Sequence, residues 1–313
     1  MTASDFLKDD IVEGVSPMNI LICVPVIPFP MADGLRVRSF NLARELAKQH
    51  QVHLFCLSRL APSLDQEQAF TKAGLGLTVA LEPFLSPEEK IAAYVKRLVR
   101  GIPPELILSW EDLIFRDIKV LQREHRFDVA VGEHLFMGRF LLACNCPKIL
   151  DEHNVEGELS RSLARASKLP GRWLKLFGAA RLGRYEKKLL RRLQRATAVT
   201  VADARKLEAL VPGLQVSVVE NGVSCDDYSE SSAAPREPGD AILFVGLMSY
   251  LANSEAGLWF VREILPLICQ SHPETVIKVA DSATHGGVQA DTDSTARTLV
   301  CRAWRPRPRS EHR

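Results

Sequence analysis

The 313-residue sequence predicts an α/β protein with one complete doubly wound layer and a second layer that stops early. Three observations carry this reading. Short, nearly all-apolar runs, suited to parallel strands buried on both faces, recur through residues 19–219. Stretches with apolar residues at three- and four-residue steps separate them, as one face of a helix requires. Both patterns restart at residue 241 and end at residue 280.

Residues 1–17 show no period and read as a loose leader. Residues 19–26 form the first strand run, followed by 51–57, 128–131 and 148–150. Between the first two, Val37, Phe40, Ala43 and Ala47 mark one helical face, giving a strand, loop, helix, strand unit. Helical patterns return at 88–100 and 111–124, and 198–201 and 216–219 supply further strands. The first lobe is therefore expected to span 18–221.

Residues 222–240 turn to Ser, Pro, Glu and Asp and read as an interdomain linker or a long surface loop. Residues 241–245 restart the strand pattern, 255–269 read as a helix bearing Leu258, Trp259, Val261, Ile264, Leu265 and Ile268, and 276–280 fit the next strand. Only nine of the 33 residues from 281 to 313 are apolar. So few cannot offset the entropy of ordering, and a tail without fixed structure is expected. The abrupt change after 280 reads as a truncated or frameshifted second lobe.

Composition narrows the function classes. Apolar residues make up 46% and charged residues 25%, as in globular proteins. Forty Lys and Arg against 38 Asp and Glu leave a net charge of +2, which excludes a general nucleic-acid binder. The seven cysteines are odd in number and scattered, as reduced cytosolic thiols are. Cys144 and Cys146 have no second pair to complete a tetrahedral zinc site, so no metal is expected. No apolar stretch approaches the roughly 20 residues that cross a bilayer, and acids at Asp5, Asp9, Asp10 and Glu13 do not suit a signal peptide. Cytoplasmic residence is expected, with peripheral membrane contact still open. No G-x-G-x-x-G follows the first strand and no P-loop occurs, which argues against a dinucleotide oxidoreductase or a nucleoside triphosphatase.

Five segments share an order along the chain. They are PVIPFPMADGLRVRSFNLARELA, ILDEHNVEGE, RYEKKLLRRLQRATAVTVAD, VVENGVSCDDY and ILFVGLMSYLANSEAGLWFVREILPLI. Together, over about residues 18–280, they resemble family 4 glycosyltransferases of the GT-B type, particularly bacterial members linked to surface polysaccharide assembly. The resemblance implies a GT-B-like fold of one complete Rossmann-like lobe plus an incomplete second one. It also implies sugar transfer, with retention, from a nucleotide diphosphate sugar to a lipid- or polysaccharide-linked acceptor, with no cofactor.

His153 follows the strand run 148–150 and matches the family's functionally important histidine, so it is the expected catalytic residue, bonding the transferred sugar and shielding developing positive charge. The alternative is a capping loop in which Asp151 or Asn154 starts a helix. Glu133 and His134 end another strand run and, with Asn154, are expected on the acceptor side. Gly34 would let the backbone approach a sugar or phosphate; its other reading is a tight turn. Arg36 and Arg38 fit phosphate or acceptor contact, or ordinary surface cations. For the donor, the resemblance implies Asn221 and Gly222 at the lobe junction and Gly246 beside the diphosphate. The chain departs from the family just beyond, reading Leu247, Met248, Ser249 and Tyr250 where Arg and Lys are common.

Between Arg161 and Arg195 twelve Lys or Arg stand against one acid, Glu186. Arg172, Trp173, Lys175 and Phe177 mix cations with aromatic rings and suit contact with an anionic membrane. A solvated basic helix packed on the lobe is the other reading. For the chain as a whole, the alternative to a transferase is a non-catalytic remnant that binds acceptor or membrane.

Overall fold

The computed structural model describes residues 16–167, 170–193, 195–222, 224, 241–246, 248, 250–273, 275–281 and 299–302. The leader expected over 1–17 and the linker expected over 222–240 lie almost wholly outside these residues. The chain divides into two units, one of residues up to 30 together with 35–223, the other of 31–34 together with 224 onward.

Among the described residues, seven strands build the first unit: β1 (Asn19–Val24), β2 (Gln51–Ser58), β3 (Leu75–Leu81), β4 (Val129–Glu133), β5 (Lys148–Glu152), β6 (Arg195–Ala198) and β7 (Gln215–Val218). They form one parallel sheet in the order β3-β2-β1-β4-β5-β6-β7. The all-apolar runs are explained by this burial: Ile20 to Val24 are shielded on both faces, with Ile22 beside Leu54 on one neighbour and Val131 on the other. The chain steps outward from β1 to β3, then returns to start β4 on the other flank of β1. This reversal opens a crevice at the carboxyl ends of β1 and β4, where ligands bind in open α/β sheets.

Among the described residues, eight α-helices connect the strands: α1 (Gly34–Leu46), α2 (Leu64–Lys72), α3 (Pro87–Val99), α4 (Glu111–Glu124), α5 (His134–Gly138), α6 (Glu156–Ala166), α7 (Arg172–Leu193) and α8 (Val201–Leu210). Local chemistry sets several starts. Ser63 with Gln66, and Ser86 with Glu89, form capping boxes at α2 and α3. Thr200 accepts the Asp203 N–H at α8. That last cap corrects the strand expected over 198–201: β6 ends at Ala198 because the capped helix begins at Val201. Sequence periodicity also passed over β3, although Leu75, Leu77, Val79 and Leu81 alternate as a strand requires.

In the second unit β8 (Ala241–Gly246) pairs in parallel with β9 (Val276–Asp281). The helix expected over 255–269 starts earlier and is broken into α9 (Leu251–Trp259), a π-helical turn at Phe260–Ile264, and α10 (Leu265–Ser271). Pro266 lacks an N–H and crowds the carbonyl four residues back, so a regular helix cannot continue through it. The tail expected to lack structure differs at Leu299–Arg302, where β10 pairs antiparallel with β9. Three consecutive apolar residues, Leu299, Val300 and Cys301, supply a strand there; the rest of 282–313 lies outside the described residues.

Helices α6 and α7 pack closely where two glycines meet. A Cβ on Gly157 would stand 2.5 Å from Gly183 Cα, whereas one on Gly183 would stand 3.6 Å from Gly157 Cα, an ordinary contact. Glu186 on α7 accepts the N–H groups of Glu156 (2.7 Å) and Gly157 (3.1 Å), closing the first turn of α6. This crossing holds the segment that follows β5. Gly157→Ala is expected to lower stability by about 1–3 kcal/mol in urea unfolding. Gly183→Ala is expected to be neutral or to raise it by up to about 1 kcal/mol; equal losses in both would contradict the asymmetric contact.

Candidate active site

Glu133 closes β4, Asp151 lies in the last turn of pleat of β5, and Thr197 lies in β6. The strand register places Glu133 beside Asp151 and Asp151 beside Thr197, so the three form a row across neighbouring strands. Two buried carboxylates side by side repel unless cations join them. Arg38 and His153 are those cations.

Arg38, on α1, donates from Nε to Asp151 Oδ2 and from Nη2 to Oδ1, both at 2.8 Å. Its Nη1 donates to Asn221 Oδ1 at 3.0 Å and to the Glu220 carbonyl at 3.3 Å. Thr197 Oγ1 also donates to Asp151 Oδ1. His153 Nε2 sits 2.9 Å from Glu133 Oε2 and 3.3 Å from Asp151 Oδ2. Among the described residues its Nδ1 has no protein partner.

Burial alone would lower the His153 pKa, but the bonds to Asp151 and Glu133 overcome it and raise it to about 9. Burial likewise opposes ionisation of Asp151, yet Arg38, His153 and Thr197 hold its carboxyl well below the usual range. Burial, with the Asp151 charge, raises the Glu133 carboxyl against the pull of His153. On the other face of β5, burial and then the charges of Glu186 and Glu156 raise the Glu152 carboxyl well above the usual range. The His153 shift favours the imidazolium at neutral pH, the form in which both ring nitrogens are donors.

The ligand atoms of Glu133, Asp151 and His153 lie within 4.8 Å of one another, close enough for a metal ion. A dication there would face the Arg38 guanidinium, which already holds both oxygens of Asp151. The charge balance favours a proton in that place.

His134 begins α5 with φ of 68°, a left-handed conformation that histidine adopts more readily than most side chains. Its Nδ1 accepts the Phe136 N–H at 3.3 Å, which leaves the Nε2 proton to bond Glu156 Oε1 at 2.9 Å. Asn154 Nδ2 donates to the same carboxylate at 3.4 Å. Beside this pair opens a cavity of about 490 Å³, walled by Leu35, Leu106 and Phe136 with Glu105, His134 and Glu156 as polar groups.

The structure thus brings together Arg38, Glu133, His153 and Asn221, and, a ring away, His134 with Asn154. Arg38 is not a surface cation but is buried and fully engaged by protein groups. Arg36 donates to the Ile27 carbonyl at 3.3 Å. Among the described residues, a Cβ on Gly34 or Gly222 would meet nothing within 4 Å. Gly246, in the second unit, would meet Asn253 Nδ2 at 3.1 Å and Met248 Cε at 3.3 Å, so the protein's own packing already disfavours a side chain. Arg172, Trp173, Lys175 and Phe177 are all exposed on α7.

Sequence reasoning left Asp151 and Thr197 out of the site. A carboxylate closing an apolar strand run was a usable signal for Asp151. Its partners carried none, since Thr197 and Arg38 are 46 and 113 residues away.

The sign of the His153 shift has a direct consequence. Its folded pKa exceeds the unfolded value of about 6.5, so the stability it contributes is fully present below that value and is lost as pH rises through about 9. An NMR titration of the His153 ring is expected to show a midpoint near 9, falling toward 6.5 in Glu133→Gln. An unchanged midpoint in the variant would remove Glu133 from the network.

A sucrose-phosphate synthase from Thermosynechococcus elongatus shares the fold: TM-score 0.52 at 10% identity, over 86% of this chain and 64% of that one. Medicago truncatula UGT71G1 complexed with UDP-glucose matches with TM-score 0.49 and 13% identity, over 86% of this chain and 67% of that one. A glycotransferase of kitacinnamycin matches with TM-score 0.45 and 17% identity, over 88% and 70%. The chain spans 64 to 70% of the length of these three structures. No curated protein matches the sequence. Residues 32–227, which include Arg38 and every residue of the charged row at the sheet edge, match Glycosyltransferase Family 4. With more than half of the chain inside that match, the protein belongs to glycosyltransferase family 4.

Proposed function

We propose that the chain transfers a sugar from a nucleotide diphosphate sugar to a hydroxyl of a lipid- or polysaccharide-linked acceptor, with retention at the anomeric carbon. The observation that carries this reading is His153 at the carboxyl edge of β5, held by Glu133 and Asp151, whose bonds raise its pKa to about 9, with no partner for its Nδ1 among the described residues. A fixed cationic donor at a sheet edge suits an oxygen that is neutral or negative, such as a sugar hydroxyl or a phosphate oxygen. In the transfer the bond from the anomeric carbon to the diphosphate oxygen breaks and the bond to the acceptor oxygen forms. The acceptor proton leaves with the diphosphate.

Arg38 and Asp151 are positioning residues in this scheme, since they act through His153. The open space at Gly34 admits the sugar or a phosphate to the first turn of α1, whose N–H groups favour anions. Arg36, at the same turn, serves the acceptor side with Glu133, His134 and Asn154. The cavity beside His134 and Glu156, apolar with a polar end, suits an acceptor that carries an apolar portion. Asn221, Gly222 and Gly246 serve the donor. A lipid-linked acceptor places the reaction at the cytoplasmic face of a bacterial membrane, in surface polysaccharide assembly.

A screen of UDP- and GDP-sugars against the full chain, with lipid-linked acceptors, is expected to show acceptor-dependent release of the nucleoside diphosphate. His153→Ala is expected to reduce it on the order of 10²-fold. The residues beyond Gly246, Leu247 to Tyr250, favour a second reading in which acceptor is bound without transfer. Calorimetry separates the two: heat with acceptor but with no nucleotide sugar supports the second and overturns the first.

A further inference from the structure

The turn that leads into β5 carries two free thiols one residue apart, Cys144 and Cys146. Their surroundings differ. Cys144 is 3% exposed and belongs to the core of the first unit, whereas Cys146 is half-buried between the exposed residues Asn145 and Pro147. Hydrogen bonds fix the turn from several sides. The Cys144 N–H donates to the Leu141 carbonyl at 2.8 Å, the Asn145 N–H to Gln122 Oε1 at 3.2 Å, and the Pro147 carbonyl accepts the Ala130 N–H at 2.9 Å. Lys148 Nζ donates to the Cys146 carbonyl at 2.9 Å, which holds an ammonium beside that residue.

The two sulfurs share a hydrogen bond, donated by the Cys144 thiol. That bond, then burial and the nearby Cys23, raise Cys144 far above the usual thiol range, while the side chain of Gln122 favours its thiolate. The same bond lowers Cys146 to about 7. Burial and the Asp128 charge oppose this, and the residue's own N–H and the Lys148 charge support it. An accessible sulfur that ionises near neutral pH is a nucleophile, and a buried protonated one beside it can only follow. Cys23 in β1 and Cys56 in β2 are fully buried with raised thiols, so they are inert. Two residues apart, Cα atoms are at most about 7 Å apart, the upper limit of what a disulfide bridges, and the chain bends at Asn145 and Cys146.

We infer that Cys144 and Cys146 are a redox-active dithiol that closes to a disulfide by exchange with a low-molecular-weight disulfide, Cys146 attacking and Cys144 resolving. The pair stands before β5 at its amino edge, whereas Asp151 and His153 stand at its carboxyl edge, so the inference does not depend on the transfer chemistry.

In the first step the Cys146 thiolate attacks R–S–S–R, the S–S bond of the reagent breaks, and R–S⁻ leaves a mixed disulfide on Cys146. In the second the Cys144 sulfur attacks the Cys146 sulfur, the bond to R breaks, and the Cys144 proton passes to the departing thiolate. The proton that Cys146 gave to water on ionising returns to the first R–S⁻. Two cysteines are oxidised by two electrons in all, and the reagent is reduced to two thiols. A bridge over a single residue is strained, and a strained disulfide is easily reduced again, so the pair cycles.

Trypsin releases residues 140–148 as one peptide that holds Cys144 and Cys146 and no other cysteine. The native chain is treated with oxidised glutathione, quenched with acid, alkylated under denaturing conditions, digested and weighed by mass spectrometry. The peptide is expected to lack two hydrogens, to carry neither glutathione nor alkyl group, and to regain both thiols in dithiothreitol. Cys144→Ala is expected to retain glutathione on Cys146, and Cys146→Ser to leave Cys144 unreacted over the same time. Alkylation of Cys146 by iodoacetamide is expected to rise with a midpoint near pH 7 in the native chain. In Cys144→Ala that midpoint is expected to move up toward about 8.5. Circular dichroism verifies that each variant is folded, and the result on the native chain stands without them. Free thiols after treatment, glutathione retained on the native peptide, a bridge from this peptide to that of Cys23, or an unmoved midpoint overturns the inference.

Discussion

The carboxylate of Asp151 is the point on which the site depends. It lies inside the sheet edge, next to Glu133 on one neighbouring strand and Thr197 on the other. Removing two adjacent carboxylates from water costs several kcal/mol each unless cations and hydrogen bonds replace the lost hydration. Arg38 meets both oxygens of Asp151, and His153 bridges Asp151 to Glu133. The same compensation that makes burial tolerable keeps His153 charged. Electrostatic repair of the fold and preparation of a hydrogen-bond donor are one arrangement.

Topology explains why these groups meet where they do. The sheet order reverses at β1, so α1, which follows β1, carries Arg38 over the carboxyl ends of β4 and β5. Asn221, after β7, reaches the same guanidinium from the far edge of the sheet. Three separated stretches of chain thereby share one arginine. The close approach of α6 to α7 at Gly157 and Gly183, with Glu186 closing the first turn of α6, braces the segment just after His153. The chain belongs to family 4, and its first unit is a seven-stranded Rossmann-like layer, an architecture in which ligands bind at the strand ends.

Much of the first unit was legible because its elements obey local rules. Apolar runs of strand length predicted β1, β2, β4 and β5, and the face through Val37, Phe40 and Ala43 predicted α1. The span 111–124 coincides with α4. Failures have local causes as well. The Thr200 cap moved β6 earlier, Pro266 broke a helix, and β3 was passed over although its apolar residues alternate. At the site, His153 and Glu133 were visible because a polar residue closing an apolar strand run is conspicuous. Arg38 was visible only as a cation of undecided role.

By itself the sequence determined the strands β1, β2, β4 and β5 and the helices α1 and α4, where polar groups end the strands, and how cations concentrate between Arg161 and Arg195. These follow from periodicity and composition within a dozen or so residues. Only the tertiary structure decided that Arg38 closes on Asp151, 113 residues away, and that the apolar side of α3 faces outward. Helical periodicity identifies an amphipathic face but not the direction in which it points, because that choice rests on what the opposite side meets. For α3 it meets Glu111, whose buried carboxylate claims Arg97 and turns the apolar stripe to the surface.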